Sequence, residues 1–220
     1  MTNTQRKTYD VIGFDLDGVL LDSVRKGHND WKYRMLRKTL AHFGIPATRQ
    51  NMEKIYMENL AKNIETFCRD FGIHKPETLW QVREKNLREE KYRAIRSSEI
   101  SLFRDVRNVE VLSRSYTLAI CSNVTQKMLD FSVSHFGLGE YFSCWVGRSG
   151  DFEDLSRMKP NPYYLNKMIA MLNSTSILYV GDREQDQEAA RKAGIDSLLL
   201  SRNGNKGDIR SLDELAAYLR

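Results

Sequence analysis

Short apolar runs alternate along this chain with longer stretches in which apolar residues are three or four positions apart. The first run, Val11-Ile12-Gly13-Phe14, follows a polar N-terminus, and Gly18 closes the segment after it. A run of this length that ends near a glycine predicts a buried strand leading into a turn. Further apolar runs at 116–122, 142–146, 177–181 and 197–200 predict four more strands.

Amphipathic stretches lie between the later strands. The spacing of their apolar residues predicts helices over 106–112, 126–136, 162–172 and 184–193, and a last helix that begins at Leu212. Strands that alternate with helices are typical of a parallel sheet with right-handed crossovers. The pattern therefore predicts an α/β protein with a Rossmann-like, doubly wound parallel sheet that is covered by helices on both faces.

A long helical segment interrupts the alternation after the first strand. Apolar residues at helical spacing predict one helix from Val24 to Phe43, a second over 52–71 and a third that starts at Pro76 and reaches residue 95. These helices predict an α-helical cap domain inserted into the core. The predicted boundaries are 1–22 and 105–220 for the Rossmann-like core and 23–104 for the cap, with hinges near 22–23 and 98–104.

Composition limits the class of protein. With 220 residues the chain can bury a full hydrophobic core. No window approaches the roughly 18 apolar residues of a membrane helix, and residues 1–10 are polar, unlike a signal sequence. We therefore expect a soluble, cytoplasmic protein without a membrane partner. The three cysteines, Cys68, Cys121 and Cys144, lack metal-ligand spacing, so reduced thiols are expected.

The net charge of +5 is unevenly distributed. Residues 23–104 contain 18 Lys and Arg against 10 Asp and Glu, a net charge of +8, and the rest of the chain carries −3. A basic wall that faces an acidic site attracts anionic substrates, whereas the alternative is an ordinary solvated surface. Nucleic acid is disfavoured as a partner because glycine-aromatic binding signatures are missing. The candidate substrate-binding cations of the cap are Arg25, Lys32, Arg49 and Lys54.

The first candidate chemistry lies directly after the first predicted strand, in Asp15-Leu16-Asp17-Gly18. Open α/β sheets bind ligands at the carboxyl ends of their strands. Asp15 and Asp17 can face one reacting centre only if the chain bends at Gly18. One carboxylate can then act as nucleophile and metal ligand and the other as acid and base, whereas the alternative is a simple cap of the turn.

Three further fragments follow in order. Ser122-Asn123 ends the second apolar run, Lys159-Pro160 precedes a predicted helix, and Gly181-Asp182 ends a later strand, with Asp186 four residues on. Together with the Asp15 motif, these fragments resemble the haloacid dehalogenase-like superfamily of aspartate-nucleophile phosphotransferases. The insertion after the first motif is similar to that of the helical-cap subgroup, which includes phosphoglycolate-phosphatase-like and β-phosphoglucomutase-like enzymes.

The resemblance implies a role for each motif residue. Asp15 would be the nucleophile and Asp17 the general acid and base, while Lys159, Ser122 and Asn123 would hold the phosphoryl group. A magnesium ion would be bound by Asp15, the backbone carbonyl of Asp17, and Asp182, and Asp186 would position the water molecules of the ion. Haloacid dehalogenases lack an acid at the position of Asp17, which favours phosphomonoester chemistry here.

Three functions are consistent with this set of residues. The preferred function is a magnesium-dependent phosphatase that acts on a small, anionic, phosphorylated metabolite. The first alternative is a sugar-phosphate mutase of the same superfamily, which keeps both aspartates. The second is a non-enzymatic phosphate-binding or regulatory module, which is disfavoured because no motif residue is missing. The expected assembly is a monomer or a homodimer.

Overall fold

The computed structural model describes residues 8–23, 30–202, 204 and 206–219. The chain forms two compact units. The sheet unit consists of the chain up to Asp22, Leu102–Arg148 and the chain from Arg157 onward, and the helical unit consists of 23–101 and Ser149–Ser156. The predicted boundaries assign Ser149–Ser156 to the core, whereas the structure groups this segment with the helices. The predicted domain boundaries, 1–22 and 105–220 against 23–104, stay a proposal.

Among the described residues, five parallel strands form the sheet of the first unit. They are β1 (Val11–Phe14), β2 (Thr117–Thr125), β3 (Cys144–Arg148), β4 (Ile177–Gly181) and β5 (Asp196–Leu199). Their order is β3-β2-β1-β4-β5, so β1 lies between β2 and β4. The chain builds outward from β1 in one direction and then returns to its other side, which is the topology of a doubly wound sheet. The predicted α/β fold class is confirmed.

Helices of the sheet unit pack against the strands and close its core. They are α5 (Asn108–Ser113), α6 (Gln126–His135), α8 (Tyr163–Leu172), α9 (Glu184–Ala193) and α10 (Leu212–Tyr218), and a 3₁₀ turn at Arg104–Arg107 precedes α5. Buried side chains from the central strands, such as Val11, Ala119 and Tyr179, meet Leu165 and Met168 of α8 in one cluster. Because the central strands are buried on both faces, they are nearly continuous apolar runs, as parallel strands usually are.

Several predicted boundaries in this unit were wrong by a few residues. Strand β2 continues through Ser122 and Asn123 to Thr125, and β3 begins at Cys144 instead of residue 142. The cause is pairing with the neighbouring strand, since Thr125 pairs with Arg148 after an irregularity in the register. Polar residues can complete a strand when an adjacent strand forms hydrogen bonds with their backbone N–H and C=O groups.

The helical unit contains α1 (Asp30–His42), α2 (Arg49–Lys54), α3 (Met57–Asp70) and α4 (Pro76–Arg96), together with all but the last residue of the short α7 (Asp154–Arg157). Val24, where the first helix was predicted to start, lies outside the described residues. The single helix predicted over 52–71 was wrong, because the chain turns to an extended conformation at Tyr56. The buried guanidinium of Arg83 donates a hydrogen bond to the Ile55 carbonyl (3.1 Å), which supplies a partner from another helix at the break.

A buried carboxylate joins α1 to α4. Glu90 of α4 is fully buried and accepts hydrogen bonds from Arg34 (2.8 Å) and from Lys38, both on α1. Arg93 lies 3.5 Å from the same carboxylate, and Arg34 also binds Glu99 (2.8 Å). Burial disfavours the charged form of Glu90, but the hydrogen bonds from Lys38 and Arg34 outweigh it and lower its pKa.

We expect Glu90→Gln to destabilise the protein by about 2 kcal/mol near neutral pH, because charge-assisted hydrogen bonds to a buried group are lost. The pKa of Glu90 is lowered on folding. The contribution of its carboxylate to the free energy of unfolding is therefore present above the unfolded-state pKa and disappears as the pH falls through the folded-state pKa. The measurement is chemical denaturation at about pH 7 and about pH 3. The stability difference between parent and variant should shrink at the lower pH.

The control for this prediction is Glu53→Gln, which removes an exposed i,i+4 ion pair with Arg49 on α2. Such exposed pairs contribute little to stability, because solvent screens their charges. Equal losses of stability in the two variants would contradict the importance of the buried cluster.

None of the helices in the described part of the chain is long and apolar enough to cross a membrane. The three cysteines are buried and free of disulfide bonds, in agreement with the prediction of reduced thiols.

Candidate active site

The segment after β1 forms a tight turn that carries the two motif aspartates. The Asp15 amide donates a hydrogen bond to the Val180 carbonyl of β4 (2.9 Å), which extends the pairing of β1 with β4 by one residue. Gly18 has φ +84°, a conformation that favours glycine, and a β-carbon there would lie 2.1 Å from Oδ2 of Asp182. The predicted bend at Gly18 is confirmed, and only glycine lets the turn approach Asp182 this closely.

Three carboxylates meet where β1 and β4 end. One oxygen from each of Asp15, Asp182 and Asp186 lies within 4.8 Å of the others. Asp15 follows β1 and Asp182 follows β4, and the two strands are parallel neighbours. Asp186 reaches the same place from the first turn of α9, where its side chain accepts a hydrogen bond from the Arg183 amide (3.1 Å). The topology of the sheet therefore assembles an acidic cluster from three separate sequence positions.

Lys159 supplies the positive charge of the cluster. Its Nζ lies 3.0 Å from Asp15 Oδ1 and 2.5 Å from Asp186 Oδ1, and the side chain is 3% exposed. Asn123 fixes the Lys159 backbone through two hydrogen bonds, one from the Lys159 amide to Asn123 Oδ1 (3.0 Å) and one from Asn123 Nδ2 to the Lys159 carbonyl (3.3 Å). The structure thus brings Lys159 to Asp15, as the resemblance implied, and gives the Asn123 side chain a role in holding the lysine segment.

Ser122 and Asp17 also lie at this end of the sheet. Ser122 is a buried residue of β2, and Asp17 is half-buried in the turn after β1. The assignment of Ser122 and Asn123 to substrate binding, and of Asp17 to acid and base chemistry, stays a prediction.

Tyr179 is a further member of the cluster, although its place in an apolar run predicted only a strand residue. Its hydroxyl accepts a hydrogen bond from Lys159 Nζ (2.8 Å) and donates one to the Cys121 carbonyl (2.5 Å). Burial keeps the pKa of the Tyr179 phenol well above its ordinary value, so the hydroxyl keeps its proton. A tyrosine inside an otherwise apolar strand was the available signal, because a buried hydroxyl needs a polar partner.

The electrostatics of the cluster suit a cation. Burial, together with the negative charge of Asp15, raises the pKa of Asp182 to about 7. Burial also raises the pKa of Asp15, although the positive charge of Lys159 acts to lower it. Asp182 Oδ1 is buried without a hydrogen-bond partner among the described residues, and Arg183 Nε lies 4.0 Å from it. Three carboxylates with an unsatisfied oxygen fit a hard divalent cation such as Mg²⁺.

A family comparison decides which proteins share this arrangement. The model of the family described as haloacid dehalogenase-like hydrolase matches residues 12–200. The chain belongs to this family. The match spans both units and every motif, so the family predicted from the four motifs is confirmed, and this protein is a hydrolase.

Relatives of this haloacid dehalogenase-like hydrolase match over most of their length. The phosphoglycolate phosphatase of Vibrio vulnificus is 29% identical over 206 residues, which cover 90% of this chain and 86% of the relative. Two solved structures have the same fold. One is a predicted phosphoglycolate phosphatase from Haemophilus somnus (TM-score 0.67, 21% identity, 94% of this chain and 98% of that chain). The other is the hydrolase YfnB from Bacillus subtilis (TM-score 0.64, 19% identity, 97% of this chain and 99% of that chain).

The cap cations named from the sequence occupy different settings in the helical unit of the hydrolase. Lys32 lies 5.3 Å from the ring centroid of Trp31. Arg49 pairs with Glu53 (2.9 Å), and its side chain is 91% exposed. Lys54 lies 3.8 Å from Asp70 and 5.8 Å from the ring centroid of Phe71. Arg25 is outside the described residues. The role of these cations in substrate binding stays a prediction.

Proposed function

We propose that this hydrolase is a magnesium-dependent phosphatase that acts on a small phosphorylated metabolite through an aspartyl phosphate on Asp15. The observation that carries the proposal is the buried cluster in which Lys159 contacts Asp15 and Asp186, with Asp182 beside them. Such a cluster presents one carboxylate next to a fixed cation and to oxygen ligands for a metal, which are the requirements of phosphoryl transfer to an aspartate.

The substrate class rests on the relatives and on the net charge. Relatives such as that of Vibrio vulnificus are named phosphoglycolate phosphatases, which supports a small anionic phosphomonoester as substrate. The excess of 18 basic over 10 acidic residues in 23–104 would attract an anion. Membranes and nucleic acids are not proposed as partners, and a monomer or homodimer stays the predicted assembly.

In the first step, a carboxylate oxygen of Asp15 attacks phosphorus and forms an acyl-phosphate bond while the ester P–O bond breaks. The leaving oxygen takes a proton from the carboxylic acid of Asp17, so an alcohol departs instead of an alkoxide. Lys159 stabilises charge on the transferring phosphoryl group, and buried Ser122 contributes a hydrogen bond to it. Tyr179 and Asn123 hold Lys159 in place through the contacts described above.

In the second step, a water molecule attacks the phosphorus of the acyl phosphate. The carboxylate of Asp17 accepts a proton from this water, and the bond between phosphorus and the Asp15 oxygen breaks. Inorganic phosphate leaves, Asp15 is again a carboxylate, and Asp17 is again an acid. One residue therefore serves first as acid and then as base.

Asp15, Asp182 and the backbone carbonyl of Asp17 are the proposed ligands of the magnesium ion. The YfnB structure was solved with magnesium bound, which supports the choice of metal in this fold. When bound, the ion would supply positive charge that offsets the negative charges of the nucleophile and the phosphoryl group. Asp186 was expected to act through the water molecules of the ion, and its direct ion pair with Lys159 adds a second task, the orientation of the lysine.

Removal of divalent metal is expected to reduce phosphatase activity at least about 100-fold, because Lys159 alone does not balance the three clustered carboxylates and their excess negative charge repels an anionic substrate. The measurement is phosphate release from phosphoglycolate after dialysis against EDTA, followed by addition of Mg²⁺ or Ca²⁺. Mg²⁺ should restore activity, whereas Ca²⁺ should bind and restore little, because it prefers a looser geometry with more ligands. Full activity in excess EDTA would contradict the proposed metal requirement.

A substrate screen tests the reaction class. The screen compares phosphoglycolate, sugar phosphates, nucleotides and amino-acid phosphates in the presence of Mg²⁺, with kcat/KM as the readout. Free phosphate as the product supports the phosphatase, whereas conversion of glucose 1-phosphate into glucose 6-phosphate would replace it with the mutase. A chain that turns over none of these compounds with any divalent metal would point to the non-enzymatic module.

A further inference from the structure

An arginine from the C-terminal part of the chain binds the turn that carries Asp17. Arg202 is 184 residues away from Gly18 in the sequence, and its Nε donates a hydrogen bond to the Gly18 carbonyl (3.2 Å). Its Nη2 donates a second hydrogen bond to the Val19 carbonyl (2.6 Å). One guanidinium group therefore holds two consecutive carbonyls directly after Asp17, and both bonds are charge-assisted.

The guanidinium group of Arg202 is itself fixed on its remaining sides. Its Nη1 forms an ion pair with Asp105 Oδ2 (2.8 Å), and its central carbon lies 3.7 Å from the ring centroid of Phe103. The Arg202 side chain is 15% exposed and that of Asp105 is 9% exposed. Asp105 Oδ2 also accepts a hydrogen bond from the Leu212 amide at the start of α10 (2.8 Å). A planar, forked cation with fixed partners holds a turn more rigidly than a lysine ammonium would.

The turn needs such support because of its backbone conformation. Gly18 has positive φ and packs against Asp182, so a small displacement of the turn changes the distance between the two motifs. Val19 is fully buried, so its carbonyl has little access to water and needs a protein partner. Asp17 precedes Gly18 directly. Any shift of the Gly18 and Val19 carbonyls therefore moves both the carboxyl group and the carbonyl of Asp17.

We propose that Arg202, anchored by Asp105, is a positioning residue that aligns Asp17 for proton transfer to the leaving group. This inference rests on the proposed function, in which Asp17 is the general acid of the first step. Arg202 acts through the turn and makes no contact with the reacting atoms in this role. Its loss should therefore impair the step that needs an aligned acid more than the steps that do not.

Leaving-group dependence separates this role from a merely structural one. Phenyl phosphate and p-nitrophenyl phosphate have nearly the same shape, but p-nitrophenolate leaves without protonation far more readily than phenolate does. The ratio kcat/KM reports the steps up to release of the first product, which here is the alcohol or phenol. A variant that loses folded protein lowers kcat/KM for both compounds equally, whereas a misaligned acid lowers it mainly for phenyl phosphate.

The experiment measures both substrates with Mg²⁺ for the parent, Arg202→Met, Arg202→Lys and Asp105→Asn. We expect Arg202→Met to lower kcat/KM about 30-fold for phenyl phosphate and no more than about threefold for p-nitrophenyl phosphate. Arg202→Lys and Asp105→Asn keep part of the contacts. They should also lose kcat/KM mainly for phenyl phosphate, and the change in log kcat/KM should be about half of that in Arg202→Met. These two milder variants carry the test if Arg202→Met does not fold.

The matched control is Arg107→Met in the neighbouring 3₁₀ turn. Arg107 is 80% exposed, and its ion pair with Asp213 spans 3.9 Å. This variant should leave both kcat/KM values within about twofold of the parent, because exposed ion pairs contribute little. Circular dichroism and thermal unfolding verify that each variant is folded at the assay temperature.

Equal losses for the two substrates in all three Arg202 and Asp105 variants would overturn the inference. Asp17→Asn, assayed in parallel, distinguishes this failure from failure of the proposed function. If Asp17→Asn is selective for phenyl phosphate and the Arg202 variants are not, only the positioning role is wrong. If Asp17→Asn itself lacks selectivity, the acid role of Asp17 fails and the inference fails with it.

Discussion

Asp15→Asn is expected to lower phosphatase turnover by about four orders of magnitude or more, because the amide oxygen that replaces the carboxylate is too weak a nucleophile to form the acyl phosphate. The two side chains have nearly the same shape, so the packing between β1 and β4 should survive. Lys159 would keep its ion pair with Asp186. The loss should therefore appear in kcat and leave the folded structure in place.

The measurement is steady-state hydrolysis of p-nitrophenyl phosphate and phosphoglycolate with Mg²⁺, accompanied by circular dichroism. Asp10→Asn is the matched control, since Asp10 is an exposed residue just before β1. That control should keep the parent's activity within about twofold. Equal turnover by Asp15→Asn and the parent would rule out Asp15 as nucleophile, whatever the substrate.

Lys159→Met is expected to lower kcat about a thousandfold, because the fixed cation next to the nucleophile disappears. Methionine fills a similar volume without charge. It would leave Asp15 and Asp186 buried together without the ammonium group that now contacts both. Their repulsion favours protonation, and a protonated Asp15 is a poor nucleophile.

The same variant should also be less stable by about 3 kcal/mol in the absence of metal, since breaking a buried ion pair leaves an uncompensated charge. Denaturant unfolding in EDTA measures this loss. Lys192→Met is the control, because Lys192 binds Glu188 (2.7 Å) and the Pro160 carbonyl (3.2 Å) near the same segment and is 38% exposed. A Lys159→Met variant as active as the Lys192→Met control would contradict the proposed role of Lys159.

The local pattern of apolar residues was enough to predict most elements of the sheet unit. The apolar run at β4 and the helical period of α9 gave boundaries that match the structure at 177–181 and 184–193. These elements are determined by their own residues, because β4 is a continuous apolar run that ends at Gly181 and α9 keeps a helical period up to Gly194. The resemblance of the motifs also implied one site for Asp15, Lys159 and Asp182, and the structure brings these residues together.

Contacts between distant residues determined what the pattern missed. The helix predicted over 52–71 is broken next to Ile55, whose carbonyl is satisfied by Arg83 of another helix. Strand β2 extends through Asn123 to Thr125 because it pairs with β3. In each case the interaction with a partner far along the chain contributed more free energy than the local conformational preference of the sequence.

The sequence by itself determined the fold class, because hydrophobic periodicity is a local property of the chain, and the resemblance of its four motifs to a known superfamily indicated the family. Only the tertiary structure decided how those residues are held. It placed Tyr179 and Asp186 on Lys159 and brought Arg202 to the Gly18 carbonyl, 184 positions away in the sequence. Such contacts depend on which strands become neighbours in the folded sheet, and no local sequence pattern contains that information.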